Sequence, residues 1–93
     1  MKVRYTPAAG AELAAILDYI DERSPSGARN VKRRLQDIVA ILAAHPYVGR
    51  LTKRPGIRRA VATPYPYLIL YQVMGDSIVI HGFRHTARRP SED

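Results

Sequence analysis

The stretch Ile57 to Arg89 reads IRRAVATPYPYLILYQVMGDSIVIHGFRHTARR. Its centre, Tyr67-Leu-Ile-Leu-Tyr-Gln-Val73, is rich in β-branched and aromatic residues and too short for a buried helix. Met74-Gly-Asp-Ser77 supplies turn chemistry, because Gly tolerates positive φ and Asp bonds its own backbone. Ile78-Val-Ile-His-Gly-Phe83 then runs back, so the pair predicts a β-hairpin. Ile57–Ala62 is expected as a third strand that enters through Thr63-Pro-Tyr-Pro66. Pro64 and Pro66 lack a ladder N–H and disfavour helix in the residue before them, which makes that segment a tight corner. Arg58 and Arg59 stand at the entry of this sheet; Arg84, Arg88 and Arg89 stand at its exit.

Upstream, Lys2-Val-Arg-Tyr5 alternates and predicts a short first strand. Thr6-Pro7 is a helix-start signal: Thr can cap, and Pro at the first helical position gives up an N–H that had no partner. Leu13, Ile16, Leu17 and Ile20 follow at helical spacing, with Glu12 expected in the first turns, where the helix dipole favours an anion. Ser24-Pro-Ser-Gly27 breaks the pattern near Arg23. A second helix is expected from Ser26 or Gly27, with Ala28, Val31, Leu35, Ile38 and Leu42 in one stripe and Arg29, Lys32, Arg33 and Arg34 on other faces. His45-Pro46 stops it. Tyr47 to Gly56 reads as a loop rich in Gly, Pro and charge. The order strand, helix, helix, three strands predicts one α+β domain, β-α-α-β-β-β, with a helix hairpin on one face of a mostly antiparallel sheet.

Composition narrows the function. Ninety-three residues suffice for one core. The chain has no cysteine, which excludes a disulfide scaffold and fits a reducing cytoplasm. No apolar run reaches the length of a membrane span. Net charge is +7 and unevenly spread. Residues 1–22 carry Lys2 and Arg4 against Glu12, Asp18, Asp21 and Glu22, while between Asp37 and Asp76 there is no acid at all. That asymmetry points to an anionic partner, nucleic acid or acidic protein; its plain alternative is a basic surface that keeps the protein soluble.

The ordered set of motifs resembles the ParE/RelE superfamily of bacterial toxins. It comprises Ala11-Glu-Leu13 with Asp18-Tyr19-Ile20, Leu42 with His45-Pro46 and Gly49-Arg50, Gly56-Ile-Arg58, Pro64-Tyr-Pro-Tyr67 with Ile69 and Tyr71, and Ile80 with His85 and Arg88. The ending His85-x-x-Arg88-x-Pro90 is more similar to the ParE branch. The resemblance implies the toxin of a type II toxin–antitoxin module, neutralised by a ParD-like antitoxin and reaching operator DNA only through it. It implies inhibition of DNA gyrase by binding; in the RelE branch it implies ribosome-dependent mRNA cleavage instead. A degenerate member acting only within the antitoxin–operator complex is the third possibility. Arg58, Arg84, His85, Arg88 and Arg89 are the expected target-binding residues, and Leu13, Leu17, Ile20 and Tyr71 the expected antitoxin contacts.

A ribonuclease would need a base for the 2′-hydroxyl, an acid for the leaving oxygen and cations for the phosphorane. Lys53, Arg54, Arg58 and Arg84 supply cations, and His85 with Arg58 and Arg84 is the candidate catalytic set. His81 and His85, four apart on a strand, are expected on one face. Against catalysis, no carboxylate lies in the central loop or strands, and no tyrosine follows the last strand. The plain reading of His85 is a strand-end group satisfied by the backbone. Three histidines and scattered acids make no metal ligand set, and no cofactor or small-molecule motif is present.

Overall fold

The computed structural model describes residues 1–87. The elements are β1 (Lys2–Tyr5), α1 (Pro7–Asp21), α2 (Pro25–Ala44), β2 (Arg50–Leu51), β3 (Ile57–Val61), β4 (Tyr67–Met74) and β5 (Ser77–His85). They form a five-stranded sheet in the order β1-β5-β4-β3-β2. Only the β1–β5 pair is parallel. The α+β architecture with a helix hairpin on one face is as the sequence predicts.

Both helices start by the same local chemistry. Thr6 Oγ1 accepts from the Ala9 N–H at 3.1 Å and Pro7 follows; Ser24 Oγ accepts from the Gly27 N–H at 3.0 Å and Pro25 follows. The second helix therefore begins at Pro25, one to two residues earlier than expected, because Ser24 rather than Ser26 provides the cap. His45 leaves helical geometry at φ −135°, as the following proline requires. A second difference lies in the segment expected to be all loop. Arg50 and Leu51 pair with Arg59 and Arg58, which adds a short edge strand.

One face of the sheet carries the main core. Tyr67, Ile69 and Tyr71 of β4 and Ile78, Ile80 and Phe83 of β5 meet Val31, Leu35, Ile38, Val39 and Leu42 of α2 and Ala9 of α1. Burying each large aliphatic side chain stabilises the fold by about 1.5–3 kcal/mol. The alternate residues of β4, Leu68 and Leu70, form a second small cluster with Ile57 on the opposite face.

β5 does not keep a strict alternation. Leu70 opposes Gly82 whereas Tyr71 opposes Ile80, so His81 is one extra residue, a β-bulge. The bulge overturns the expectation that His81 and His85 share a face. His85 sides with Phe83 and stacks edge-on against the core residue Tyr67, ring centroids 5.4 Å apart. His81 turns to the other side, where Nε2 meets Gln72 Oε1 at 3.0 Å.

Candidate functional site

The expected functional side chains fall into three places. The first is the far end of β5. β1 stops at Tyr5, opposite Ile80, and the chain enters α1. The β5 edge beyond that point is completed by a side chain: Glu12 Oε1 accepts from the Phe83 N–H at 3.2 Å. Its other oxygen, Oε2, accepts from Arg84 Nη1 at 2.7 Å. Glu12 thus stands beyond the first turn of α1 and serves the sheet edge instead of the helix dipole, correcting the expectation. Gly82 makes this possible. A Cβ there would lie 2.5 Å from Arg84 Nη1 and 2.7 Å from Glu12 Oε1.

Beside this pair runs a groove of about 810 Å³ between α1 and the end of β5, lined by Ile16, Tyr19, Tyr67, Phe83, Arg84 and His85 among others. His85 Nδ1 accepts from the Ala87 N–H at 3.0 Å. Arg84 and His85 are therefore neighbours at the groove, Arg84 donating also to the Phe83 carbonyl at 3.2 Å and His85 stacking edge-on against Tyr67. Arg88 and Arg89 lie outside the described residues.

The second place is the corner where α2 leaves for β2. Tyr71, expected as an antitoxin contact, is fully buried. Its hydroxyl donates to the Pro46 carbonyl at 2.8 Å and accepts from the Gly49 N–H at 2.9 Å. Gly49 has no room for a Cβ, which would overlap the Tyr71 ring. Burial raises the Tyr71 pKa; the Gly49 hydrogen bond and the Arg58 charge oppose that rise. Arg58 Nη1 donates to the Gly49 carbonyl at 2.7 Å and the Tyr47 carbonyl at 3.2 Å. Arg58 is thus part of the corner's own framework, on the helix side of the sheet and away from Arg84. The structure does not bring together Arg58, Arg84 and His85.

The third place is α1. Leu13, Leu17 and Ile20 pack against the core with only part of their surface, and Ala9 alone in this helix is buried. Ala8, Ala11, Ala14 and Ala15 face outward, and so does Tyr19, whose ring carries the Arg23 guanidinium at 3.7 Å. The result is an apolar helix with much of its apolar surface uncovered.

Among the described residues no group of three potential metal ligands converges. The two strand histidines stand on opposite faces of the sheet. Sequence reasoning missed the roles of Glu12, Gly49, Gly82 and Gln72. Gly82 left a trace, because it interrupts a strand otherwise built of larger side chains. Glu12 and Gln72 left none, as their partners are remote in sequence.

Comparison with known proteins agrees with this architecture. Residues 3–90 match the family model described as the ParE toxin of the type II toxin–antitoxin system parDE. Toxin RelE2 of Caulobacter vibrioides is 39% identical over 87 residues, spanning 94% of this chain and 97% of the relative. A solved chain of the chromosomal ParDE toxin–antitoxin system from P. aeruginosa superposes with a TM-score of 0.80 at 26% identity, covering 91% of this chain and 95% of that one. With matching sequence, helix hairpin and sheet order, the chain belongs to the ParE toxin family of type II toxin–antitoxin systems.

Proposed function

We propose that this toxin acts by binding DNA gyrase, without chemistry of its own, and is held inactive by a ParD-like antitoxin that covers α1. The exposed apolar surface of α1 carries the antitoxin half of the reading. A helix that is apolar all round is normally enclosed, and α1 is enclosed on one side only. Leu13, Leu17 and Ile20 reach the edge of that surface, with Tyr19 beside them. An amphipathic antitoxin helix laid along α1 removes this surface from water, in the manner of helix-in-groove recognition. Acidic residues in the antitoxin match the toxin's +7 charge and speed encounter. The solved relative comes from a ParDE system, which supports a partner of this kind.

The binding-only half rests on the arrangement of proton-transfer groups. Cleavage of RNA needs a base and an acid on either side of one phosphate. Here His85 leans on Tyr67 and His81 is turned to the other face by the bulge. The carboxylate near Arg84, Glu12, is committed to the guanidinium and to the Phe83 N–H. The groove mouth with Arg84 and His85 is then a docking rim for the target. A second reading, ribosome-dependent mRNA cleavage, draws on one feature: His81 shares its face with Arg59, which neighbours Leu70 across β3 and β4.

The deciding experiment compares purified toxin in two assays. Gyrase supercoiling is expected to stop, with accumulation of cleaved DNA, and ribosome-bound mRNA is expected to stay intact. Cuts in the ribosomal A site with normal supercoiling overturn the binding reading. Removal of the antitoxin effect by Leu17→Glu, with toxicity retained, tests the α1 surface separately.

A further inference from the structure

β5 runs past the end of β1, and its outer edge there is finished by an ion pair. The Phe83 N–H donates to Glu12 Oε1 at 3.2 Å, and the Phe83 carbonyl accepts from Arg84 Nη1 at 3.2 Å. The same Nη1 donates to Glu12 Oε2 at 2.7 Å. Carboxylate and guanidinium thus supply the acceptor and the donor that a neighbouring strand would supply. Gly82 leaves the space for them, and the atoms nearest its missing Cβ are the mobile tips of these two side chains.

Glu12 fills what is, in its chemistry, a site for an anion. A backbone N–H and a guanidinium N–H converge on one carboxylate, each on a different oxygen. The acid arrives from α1 on a flexible side chain, and neither partner is sealed from water. The Arg84 side chain is 28% exposed and that of Glu12 36%. An ion pair this open is weakly held, because water solvates both charges when it parts. The site also opens onto the groove, where Ala15, Ile16, Tyr19 and Tyr67 present apolar or aromatic walls. An anion with an apolar neighbour can enter from solvent and reach both donors.

We propose that Glu12 is a tethered stand-in for a carboxylate of the protein target, which displaces it from the Phe83 N–H and Arg84 and seats an adjacent apolar side chain in the groove. The proposal rests on the reading of this rim as the target-docking surface. The occupant is an Asp or Glu side chain beside an aromatic or aliphatic residue. Geometry selects a carboxylate, since the two donors already hold both oxygens of one. The apolar walls select a protein segment over a nucleic-acid backbone. The net charge of +7 selects an acidic segment and opposes a second copy of this chain. Displacement exchanges one carboxylate for another, so the Arg84 charge and the Phe83 N–H are both satisfied before and after. Glu12 then sets the threshold for docking. Its tether keeps its local concentration high, and only a segment that adds apolar contact outcompetes it.

The test uses the full chain and a short fluorescein-labelled peptide with one Glu between two Phe residues in a Gly-Ser background; its counterpart has Gln in place of Glu. By anisotropy the Glu peptide is expected to bind about tenfold tighter than the Gln peptide, the effect of one charged hydrogen-bonding group. Glu12→Gln removes the charge of the tethered competitor and is expected to tighten binding of the Glu peptide by about tenfold over the wild type. Arg84→Gln is expected to lose the preference for Glu. In the wild type itself, the Glu12 carboxyl and Phe83 amide resonances are expected to move together as the peptide saturates, a readout that needs no variant to fold. Equal affinity of the wild type and Glu12→Gln, or binding that leaves both resonances in place, overturns the proposal. So does a single-stranded DNA octamer that binds tighter than the peptide and moves the same resonances, or a dimer in sedimentation in which they have already moved. In the supercoiling assay Glu12→Gln is expected to inhibit at lower concentration than the wild type. Peptide results as expected, with supercoiling untouched by either protein, support the carboxylate site and place the failure in the gyrase reading.

Discussion

The two helices are neighbours in sequence and start with the same Thr/Ser-Pro cap, yet they solve opposite problems. α2 divides its surface: Ala28, Val31, Leu35, Ile38, Val39 and Leu42 are buried, while Arg29, Arg33 and other charged residues face water. Of its large apolar side chains only Ile41 is left exposed. α1 has no such division. Its sequence, PAAGAELAAILDYID, is apolar on most sides, and the fold buries one residue of it fully. The difference separates a helix that builds the core from one that leaves much of its apolar surface in water. It also shows in how each is fastened. α2 leaves into a corner locked by a buried phenol, Tyr71, whereas α1 is tied across to β5 by Glu12, a carboxylate in partial contact with solvent.

The strongest break of this contrast comes from equal truncations in the two helices. Leu42→Ala removes a side chain that is 1% exposed and is expected to destabilise the free protein by about 2–5 kcal/mol. Leu17→Ala is expected to cost about 1 kcal/mol or less in the free protein, since only part of that side chain leaves water on folding. Chemical denaturation of both variants checks the order. Antitoxin affinity is expected to reverse it, with Leu17→Ala weakening the complex and Leu42→Ala acting through stability alone. Equal destabilisation would remove the distinction between the helices.

The two fastenings come next. Tyr71→Phe leaves the Gly49 N–H and Pro46 carbonyl without their partner, and is expected to cost about 1–3 kcal/mol by thermal denaturation. The pH dependence has a definite sign. Burial raises the Tyr71 pKa in the native state, so the contribution is complete below about 10, the unfolded value, and fades as pH rises through the native pKa. Tyr71→Phe should flatten this alkaline loss. Glu12→Gln keeps an acceptor for the Phe83 N–H but removes the charge facing Arg84. About 1 kcal/mol is expected, because the pair is only partly shielded from solvent. The smallest effect is the Lys2–Asp76 pair at 3.7 Å, both ends well exposed; Asp76→Asn is expected to change stability by about 0.5 kcal/mol or less.

Much of the fold was legible because its signals are local. Thr6-Pro7 caps and starts a helix, the stripe from Ala28 to Leu42 spells out its buried face, and Gly75-Asp76 turns a hairpin with φ +61° at the glycine. The site was less legible. Arg58 and Arg84 read alike as rim cations, but one braces a loop corner and the other a strand edge, on partners nine and seventy-two residues away. Tyr71 alternates like a half-buried strand residue and proves to be a buried anchor. The short strand β2 has no alternating pattern to announce it and exists because that corner is pinned.

The amino-acid order alone determined the helix hairpin, the antiparallel meander and the cationic second half, since capping, periodicity and charge act between near neighbours. Tertiary packing decided which histidine faces which side, through one extra residue in β5. It decided which arginines are spent internally. It also left α1 under-covered, because the sheet has one helix-bearing face and α2 fills most of it.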